Sequence, residues 1–398
     1  MPNRLTRLHI KNFRSLANVS IETSAINVLF GPNGAGKSSL LYAIWFVRDC
    51  VVRDVSLASS VQNHGVGLLW QGADRGANIS IKLETCYAEY ELLFGFSAGR
   101  IEPFVGEILD PKSDSKRLIN REIGSKIAWL YRTGDGLLDR VDLREPEKLA
   151  LVKYPDIVGD NPLAVSEIDR LLRFARFSQS RDADLPHLKQ YGSGSDFHMD
   201  LRDRCRNLWS VLRNLRDKQA IDQRYEIIIS FMRKSFPSFK DLVFEQTGPN
   251  SIYASFLEEG RRHPILASGV SDGQLQMLIL LTVLFSEVKE NQSLILFDEP
   301  ETSLHPFALS IFAESVKLAT EEWNKQVFIA THSPVLISQF EPKDILAAEL
   351  DESGQTVLTR VSEMEGIKDL LEDYAVGSLY MAEAIAPQSR LRTKEAGN

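Results

Sequence analysis

The chain has 398 residues, with 46 basic against 54 acidic side chains, a formal net charge of −8, and 43% hydrophobic and 25% charged residues. That balance excludes a uniformly basic nucleic-acid coat, so a DNA-binding surface has to be a local patch, and it supplies the core of one large or two interleaved domains. The longest apolar stretch, Met277 to Phe285, is about half a membrane span, the first residues lack a signal-peptide apolar region, and Cys50, Cys86 and Cys205 are scattered, which points to a reducing cytoplasm, no membrane and no zinc site.

In chain order, Leu5 to Ile10 alternates and reads as a strand, and Ile21 to Phe30 as one or two more. Gly31, Pro32, Asn33, Gly34, Ala35, Gly36, Lys37 and Ser38 then fit G-x-x-x-x-G-K-S, between the apolar run Ile26 to Phe30 and a helical run from Leu40 to Phe46. Strand, glycine-rich loop and helix in that order form a P-loop, whose backbone N–H groups and helix N-terminus grip phosphates. Lys37 bridges the β- and γ-phosphates of ATP and the Ser38 hydroxyl takes Mg²⁺, and Ser39 is counted with them among the nucleotide-binding residues. Arg14, shortly before this strand, is read equally well as a phosphate contact or as a solvated turn residue.

Ile79 to Glu84, Tyr87 to Phe94, Ile101 to Leu109 and Ile127 to Tyr131 alternate and predict an antiparallel meander, with turns at Asp110 to Asp114 and Gly134 to Gly136. From Asn161 the pattern turns helical, is broken over Phe177 to Asp184, and reaches its most linker-like point at Gly192 to Asp196, which is expected to be mobile. An arginine-rich helix is expected over Arg202 to Lys218, a second helix over Tyr225 to Lys234, and a hairpin from Leu242 to Phe256.

Ser271, Asp272 and Gly273 precede the apolar helix Leu275 to Phe285. They read as a plain helix N-cap or as a second anion site. Ser293 to Phe297 is a buried strand running into Asp298 and Glu299, a Walker B pattern in which Asp298 holds Mg²⁺ and Glu299 polarises the attacking water. Gln326 to Ala330 is a third buried strand, and His332 follows its end, where ligands bind in α/β sheets.

Taken together, these residues resemble the ABC-type ATPase heads of the RecF, SMC and OLD group. The opening Ile10 to Leu16, the P-loop, Val270 to Leu275, Asp298 to Pro306 and Ala330 to Pro334 are similar to that group's opening motif, Walker A, signature, Walker B with D-loop, and switch histidine. The chain looks most like the compact bacterial predicted-ATPase branch, type 21. The resemblance implies an α/β P-loop NTPase with a mixed sheet core, an antiparallel β meander and an inserted helical lobe. Its parts would be residues 1–160 (P-loop and meander), 161–265 (helical lobe with hairpin), 266–345 (signature to switch histidine) and 346–398 (C-terminal extension). It implies catalysis by Glu299, His332 and Lys37, with Ser271 and Gly273 supplied to ATP by a second copy of the chain. It also implies a Q-loop glutamine beside Mg²⁺, assigned to Gln179, with Gln71 as the other candidate.

The signature reads Val-Ser-Asp-Gly-Gln, unlike that of transporter ATPases, and no long coiled coil interrupts the chain. The residues beyond His332 are too few for the Toprim nuclease domain that follows the ATPase in OLD proteins, and no compact nuclease motif was found. The expectation is therefore an ATP-hydrolysing, dimerising switch that controls a separate effector such as a nuclease, in bacterial anti-phage defence. A RecF-like DNA-repair ATPase and a nucleotide-sensing protein-binding module without DNA contact are the alternatives.

Overall fold

The computed structural model describes residues 4–113, 116–134, 136–287 and 293–387. Strands β1 (Leu5–Phe13), β2 (Leu16–Glu22) and β3 (Ile26–Phe30) lead into helices α1 (Lys37–Val52) and α2 (Val55–Val61). Next come β4 (Ile79–Thr85), β5 (Ala88–Phe94), the short pair β6 (Phe96–Ser97) and β7 (Arg100–Ile101), then β8 (Gly106–Pro111), β9 (Ile119–Arg121), β10 (Ile127–Tyr131) and β11 (Leu138–Asp142). Helices α3 (Ala150–Val158) and α4 (Leu163–Arg173) precede β12 (Arg176–Gln179). A second lobe follows, with α5 (Leu185–Gln190), β13 (Ser193–Gly194), α6 (Leu208–Asp217), α7 (Arg224–Ser235), β14 (Phe239–Gly248), β15 (Ser251–Glu258), β16 (Ile265–Leu266) and α8 (Asp272–Phe285). The chain returns through β17 (Leu294–Asp298), α9 (Pro306–Glu322), β18 (Gln326–Ala330), α10 (Pro334–Ile337), β19 (Ile345–Leu350), β20 (Thr356–Arg360), α11 (Ile367–Asp373) and α12 (Val376–Met381).

Two sheets organise these elements. The antiparallel one has the order β11-β10-β9-β8-β5-β4-β1-β2, and the mixed one β12-β17-β18-β3-β19-β20. In the mixed sheet β12, β17, β18, β3 and β19 run parallel, and β20 closes it antiparallel to β19. The central parallel strands β17, β18 and β3 are mostly apolar because both faces are covered, whereas the edge strand β12 carries Arg176 and Gln179. Along β17, Leu294 and Leu296 join the core beneath α1 and the meander, while Ile295 and Phe297 join the core around α8 and α9. The same alternation splits Phe328 and Ala330 from Val327 and Ile329 in β18.

Several expectations are corrected. The break over Phe177 to Asp184 contains β12, which pairs in parallel with β17. The boundary at residue 161 moves with it: α4 packs on α1 and β12 belongs to the mixed sheet, so the inserted lobe starts after Gln179. Likewise β19 and β20, placed in a C-terminal extension, are strands of that same sheet. The expected linker is tied down, because Ser193 is 1% exposed and its hydroxyl donates to the Arg206 carbonyl and accepts from Trp209 N–H. The arginine-rich helix is confined to α6, since Arg204 and Cys205 take positive φ values of 63° and 56° and end any helix there. The strand expected from Ile101 to Leu109 is split into β7 and β8, with Pro103 between them unable to donate to a ladder. Asp114 and Asp135, each in an expected turn, lie outside the described residues.

Candidate functional site

The mixed sheet brings the site together at one edge. Four neighbouring strands, β12, β17, β18 and β3, end respectively at Gln179, Asp298, Ala330 with His332 just beyond, and Phe30 with the P-loop just beyond. Parallel strands present all their carboxyl ends on the same side, so residues far apart in sequence become neighbours.

Gly31 and Gly36 shape the P-loop. Gly31 has φ +144°, and a Cβ there would lie 2.0 Å from the Ala348 carbonyl oxygen; Gly36 has φ +94°, and its Cβ would lie 2.2 Å from the Thr356 Oγ1. Asn33 and Gly34 form the exposed tip. Lys37, 5% exposed, donates from Nζ to the carbonyls of Gly31 (2.8 Å) and Pro32 (2.9 Å). Burial pushes its pKa down to about 8, with Asp298, Glu299 and Glu301 acting the other way.

Around Asp298 the site is a chain of hydrogen bonds. Ser38 Oγ donates to Asp298 Oδ1 (2.8 Å), Gln179 Nε2 donates to Asp298 Oδ2 (3.0 Å), and Tyr42 Oη donates to Gln179 Oε1 (3.0 Å). The Arg14 guanidinium stacks over Tyr42 at 4.4 Å and donates to Gln62 Oε1 (3.2 Å). Arg14 is thus a half-buried wall of the site, not a solvated turn residue. Gln71 lies in an exposed turn.

Glu299, with φ +52°, turns the chain sharply after β17 and is held by its N–H on the Ala330 carbonyl (2.8 Å). Its Oε2 accepts from Arg181 Nη2 (2.6 Å), and its carbonyl accepts from Ser180 Oγ (2.7 Å). Ser180 Oγ in turn accepts from Gln276 Nε2 of α8 (2.9 Å). Tyr42, Ser180, Arg181 and Gln276 were not foreseen from sequence; the signal for two of them was adjacency, since they directly follow Gln179. Glu301 Oε1 accepts the His332 N–H (2.7 Å), and burial raises the Glu301 pKa. Burial, then Lys37, hold the His332 imidazole below its ordinary pKa.

Ser271 caps α8 in a reciprocal capping box with Gln274. A Cβ on Gly273 would lie 2.5 Å from the Ser303 carbonyl of the D-loop, so only glycine fits between signature and D-loop. Among the described residues, the hydrogen bonds of the Ser271 side chain all go to Gln274, and Ser271 is exposed. The plain N-cap reading therefore holds in the single chain, and Ser271 and Gly273 are not brought onto the P-loop.

Ser38 and Asp298 present a hydroxyl and a carboxylate to one point, the hard-oxygen set that suits Mg²⁺ beside a phosphate. A P-loop with its lysine, a strand-end Asp-Glu pair and a switch histidine on one edge of a mixed sheet define an ABC-type P-loop ATPase. A family model described as "AAA domain, putative AbiEii toxin, Type IV TA system" matches residues 26–338, and the chain belongs to that family. The OLD nuclease of Thermus scotoductus is 20% identical over 383 residues, covering 94% of this chain and 68% of that protein. Endonuclease GajA of Bacillus cereus is 24% identical over 360 residues, 85% of this chain and 57% of that protein. The chain thus spans a little over half to two thirds of these relatives. Among solved structures, an SMC head bound to the C-winged helix domain of ScpA aligns with a TM-score of 0.52 and 13% identity over 90% of this chain and 99% of that one, a likeness of fold. The protein is an ATPase of the OLD, RecF and SMC type.

Proposed function

We propose that this ATPase is an association switch: two copies close on ATP and so control a separate effector, a nuclease, in anti-phage defence. The observation that carries the switch is the exposed N-terminus of α8, whose Ser271 and Gly273 lie off the P-loop of their own chain. A helix start of this kind suits a phosphate, and a second copy is the natural source of one. In this reading Lys37 holds the β- and γ-phosphates, Ser38 and Asp298 hold Mg²⁺, and Gln179 orients Asp298. The ion, when bound, neutralises phosphate charge. Glu299 orients and deprotonates the attacking water once its carboxylate leaves Arg181, and neutral His332 donates a hydrogen bond to the γ-phosphate. Hydrolysis removes the group that both copies share, so association is lost with it. The defence setting rests on the names of the OLD and GajA relatives and on fold-level analogy.

The test is oligomeric state against nucleotide. Glu299→Gln should bind ATP, hydrolyse it at least tenfold more slowly, in line with loss of a general base, and accumulate dimers by light scattering. Ser271→Arg should bind ATP as a monomer and fail to dimerise. Hydrolysis at the wild-type rate by the first variant, or normal dimers from the second, would reject the composite site.

One observation favours the nucleic-acid reading. A cleft of about 840 Å³ between the lobes is lined by Arg48, Arg53, Arg176, Arg202 and Arg204 beside Trp45. Acidic partners already occupy much of that charge, for example Asp196 on Arg202 at 2.8 Å and Glu287 on Arg176 at 2.6 Å. The switch reading is therefore preferred.

A further inference from the structure

The sequence motifs leave the C-terminal helix α12 without a task, and it lies beyond the family match at residues 26–338. Yet it touches the P-loop. Tyr380 Oη donates to the Gly31 carbonyl (3.2 Å), the same oxygen that accepts from Lys37 Nζ (2.8 Å). A carbonyl oxygen has two lone pairs, so both donors are accommodated at once.

We infer that Tyr380 is a positioning residue for ATP: its hydroxyl holds the first P-loop carbonyl in the orientation that presents Lys37 to the phosphates. The inference rests on Gly31 to Ser38 being the phosphate loop.

The surroundings leave this contact little freedom. The Tyr380 ring, 8% exposed, stands edge-on to Phe30, with centroids 5.0 Å apart and planes at 82°. Phe30 is the last residue of β3, so ring and loop share one support. On the other side Gly31 is pressed against β19, where even a Cβ would be 2.0 Å from the Ala348 oxygen. The loop start is therefore held from two directions, by β19 and by the Tyr380 hydroxyl on the Gly31 carbonyl.

The other end of α12 is anchored as firmly. A Cβ on Gly377 would lie 2.1 Å from the Pro334 carbonyl oxygen, and the Gly377 N–H donates to Ser338 Oγ (3.1 Å). Pro334 opens α10, two residues after His332. One short helix thus braces the P-loop against the segment that carries the switch histidine. Among the described residues, the Gly31 and Pro32 carbonyls are the hydrogen-bond acceptors that orient the buried Lys37 ammonium, so the first of them is where a brace has effect.

A hydroxyl that merely finds a partner for itself and one that positions Lys37 differ in kinetics. For Tyr380→Phe the ring packing is kept. The KM for ATP and the Kd for a fluorescent ATP analogue should rise roughly three- to tenfold, the loss of one neutral hydrogen bond, with kcat within about twofold and an unchanged melting temperature. An unchanged KM overturns the role, as does a fall in kcat at constant KM with a lower melting temperature, the pattern of a purely structural contact. Lys37→Ala, measured in parallel, separates the two layers. Loss of ATP binding there with a wild-type Tyr380→Phe overturns Tyr380 alone. Normal ATP binding by Lys37→Ala overturns the phosphate-loop assignment and the inference with it.

Discussion

Lys37 is the residue at which stability and function pull apart most clearly. Its ammonium is almost fully enclosed, and burial brings its pKa from 10.5 to about 8. A folded pKa below the unfolded one means that the unfolded chain binds more protons between pH 8 and 10.5, so stability rises with pH across that window and carries a constant penalty below it. Lys37→Met should therefore be more stable to unfolding than the wild type at pH 7 without nucleotide, by about 1–3 kcal/mol, and the gap should close towards pH 10.5. No carbonyl is orphaned by this change, because Tyr380 remains on Gly31 and the Ala35 N–H remains on Pro32. The same pKa sets the kinetics. kcat/KM for ATP should fall as pH rises above about 8 in the wild type, because phosphate needs the protonated lysine. A flat profile to pH 9.5, or a less stable Lys37→Met, would contradict this account. The P-loop residues were legible in sequence because the loop is contiguous and each residue's task is local. Arg181 and Tyr380 were not, because their partners, Glu299 and Gly31, are reached across the fold.

Among the elements, β12 and α3 show how nonlocal contacts decide local structure. β12 is four residues long and carries Arg176 and Gln179, so it has neither the alternation nor the apolar run that marks a strand; its existence depends on the β17 edge beside it. α3 depends on a residue from another element. Glu107 of β8, fully buried, accepts from the N–H groups of Ala150 (2.6 Å) and Leu151 (2.7 Å) and from Tyr90 Oη (2.9 Å). This is a helix cap supplied from a distant strand. Burial raises the Glu107 pKa, and its four polar partners, Arg121 among them, oppose that rise. Glu107→Ala should cost about 3–5 kcal/mol in urea unfolding, since it leaves the buried N–H groups of Ala150 and Leu151 and the Tyr90 hydroxyl without their acceptor. Turnover per folded molecule should be retained, because α3 packs on α4, β9 and β10, away from the strands that end at the P-loop edge; a loss under 1 kcal/mol would show that the cap is dispensable.

Across the whole molecule, the two lobes meet behind Glu299. Gln276 on α8 donates to Ser180, and Ser180 donates to the Glu299 carbonyl, so the helix that starts at the signature serine is linked to the backbone of the Walker B glutamate. This gives the proposed association a path to chemistry: a partner pressing on the α8 N-terminus acts on Glu299 through two hydrogen bonds. Gln276→Leu keeps the buried volume near constant and cuts the link. Steady-state kinetics should show kcat reduced about tenfold, the loss of roughly 1.4 kcal/mol of transition-state stabilisation, with KM for ATP near wild type. A change in KM alone would place Gln276 in ground-state binding instead.

The order of residues by itself determined the class of protein, a P-loop ATPase, and where the glycine loop and the strands ending at Asp298 and before His332 lie, because strand, glycine loop and helix are local patterns whose chemistry is written in consecutive residues. It also indicated the meander and the long apolar helix of the signature, whose periods are visible along the chain. Only the tertiary structure decided that Gln179 ends a strand and meets Asp298, that the inserted lobe begins after it, that Ser193 is buried where a linker was expected, and that Tyr380 joins the P-loop. The physical reason is common to all four. Each depends on a partner more than fifty residues away, which for Ser193 is Ile252 of β15, or on a sheet edge that exists only once the parallel strands have assembled, and no short window of sequence contains both halves of such a contact.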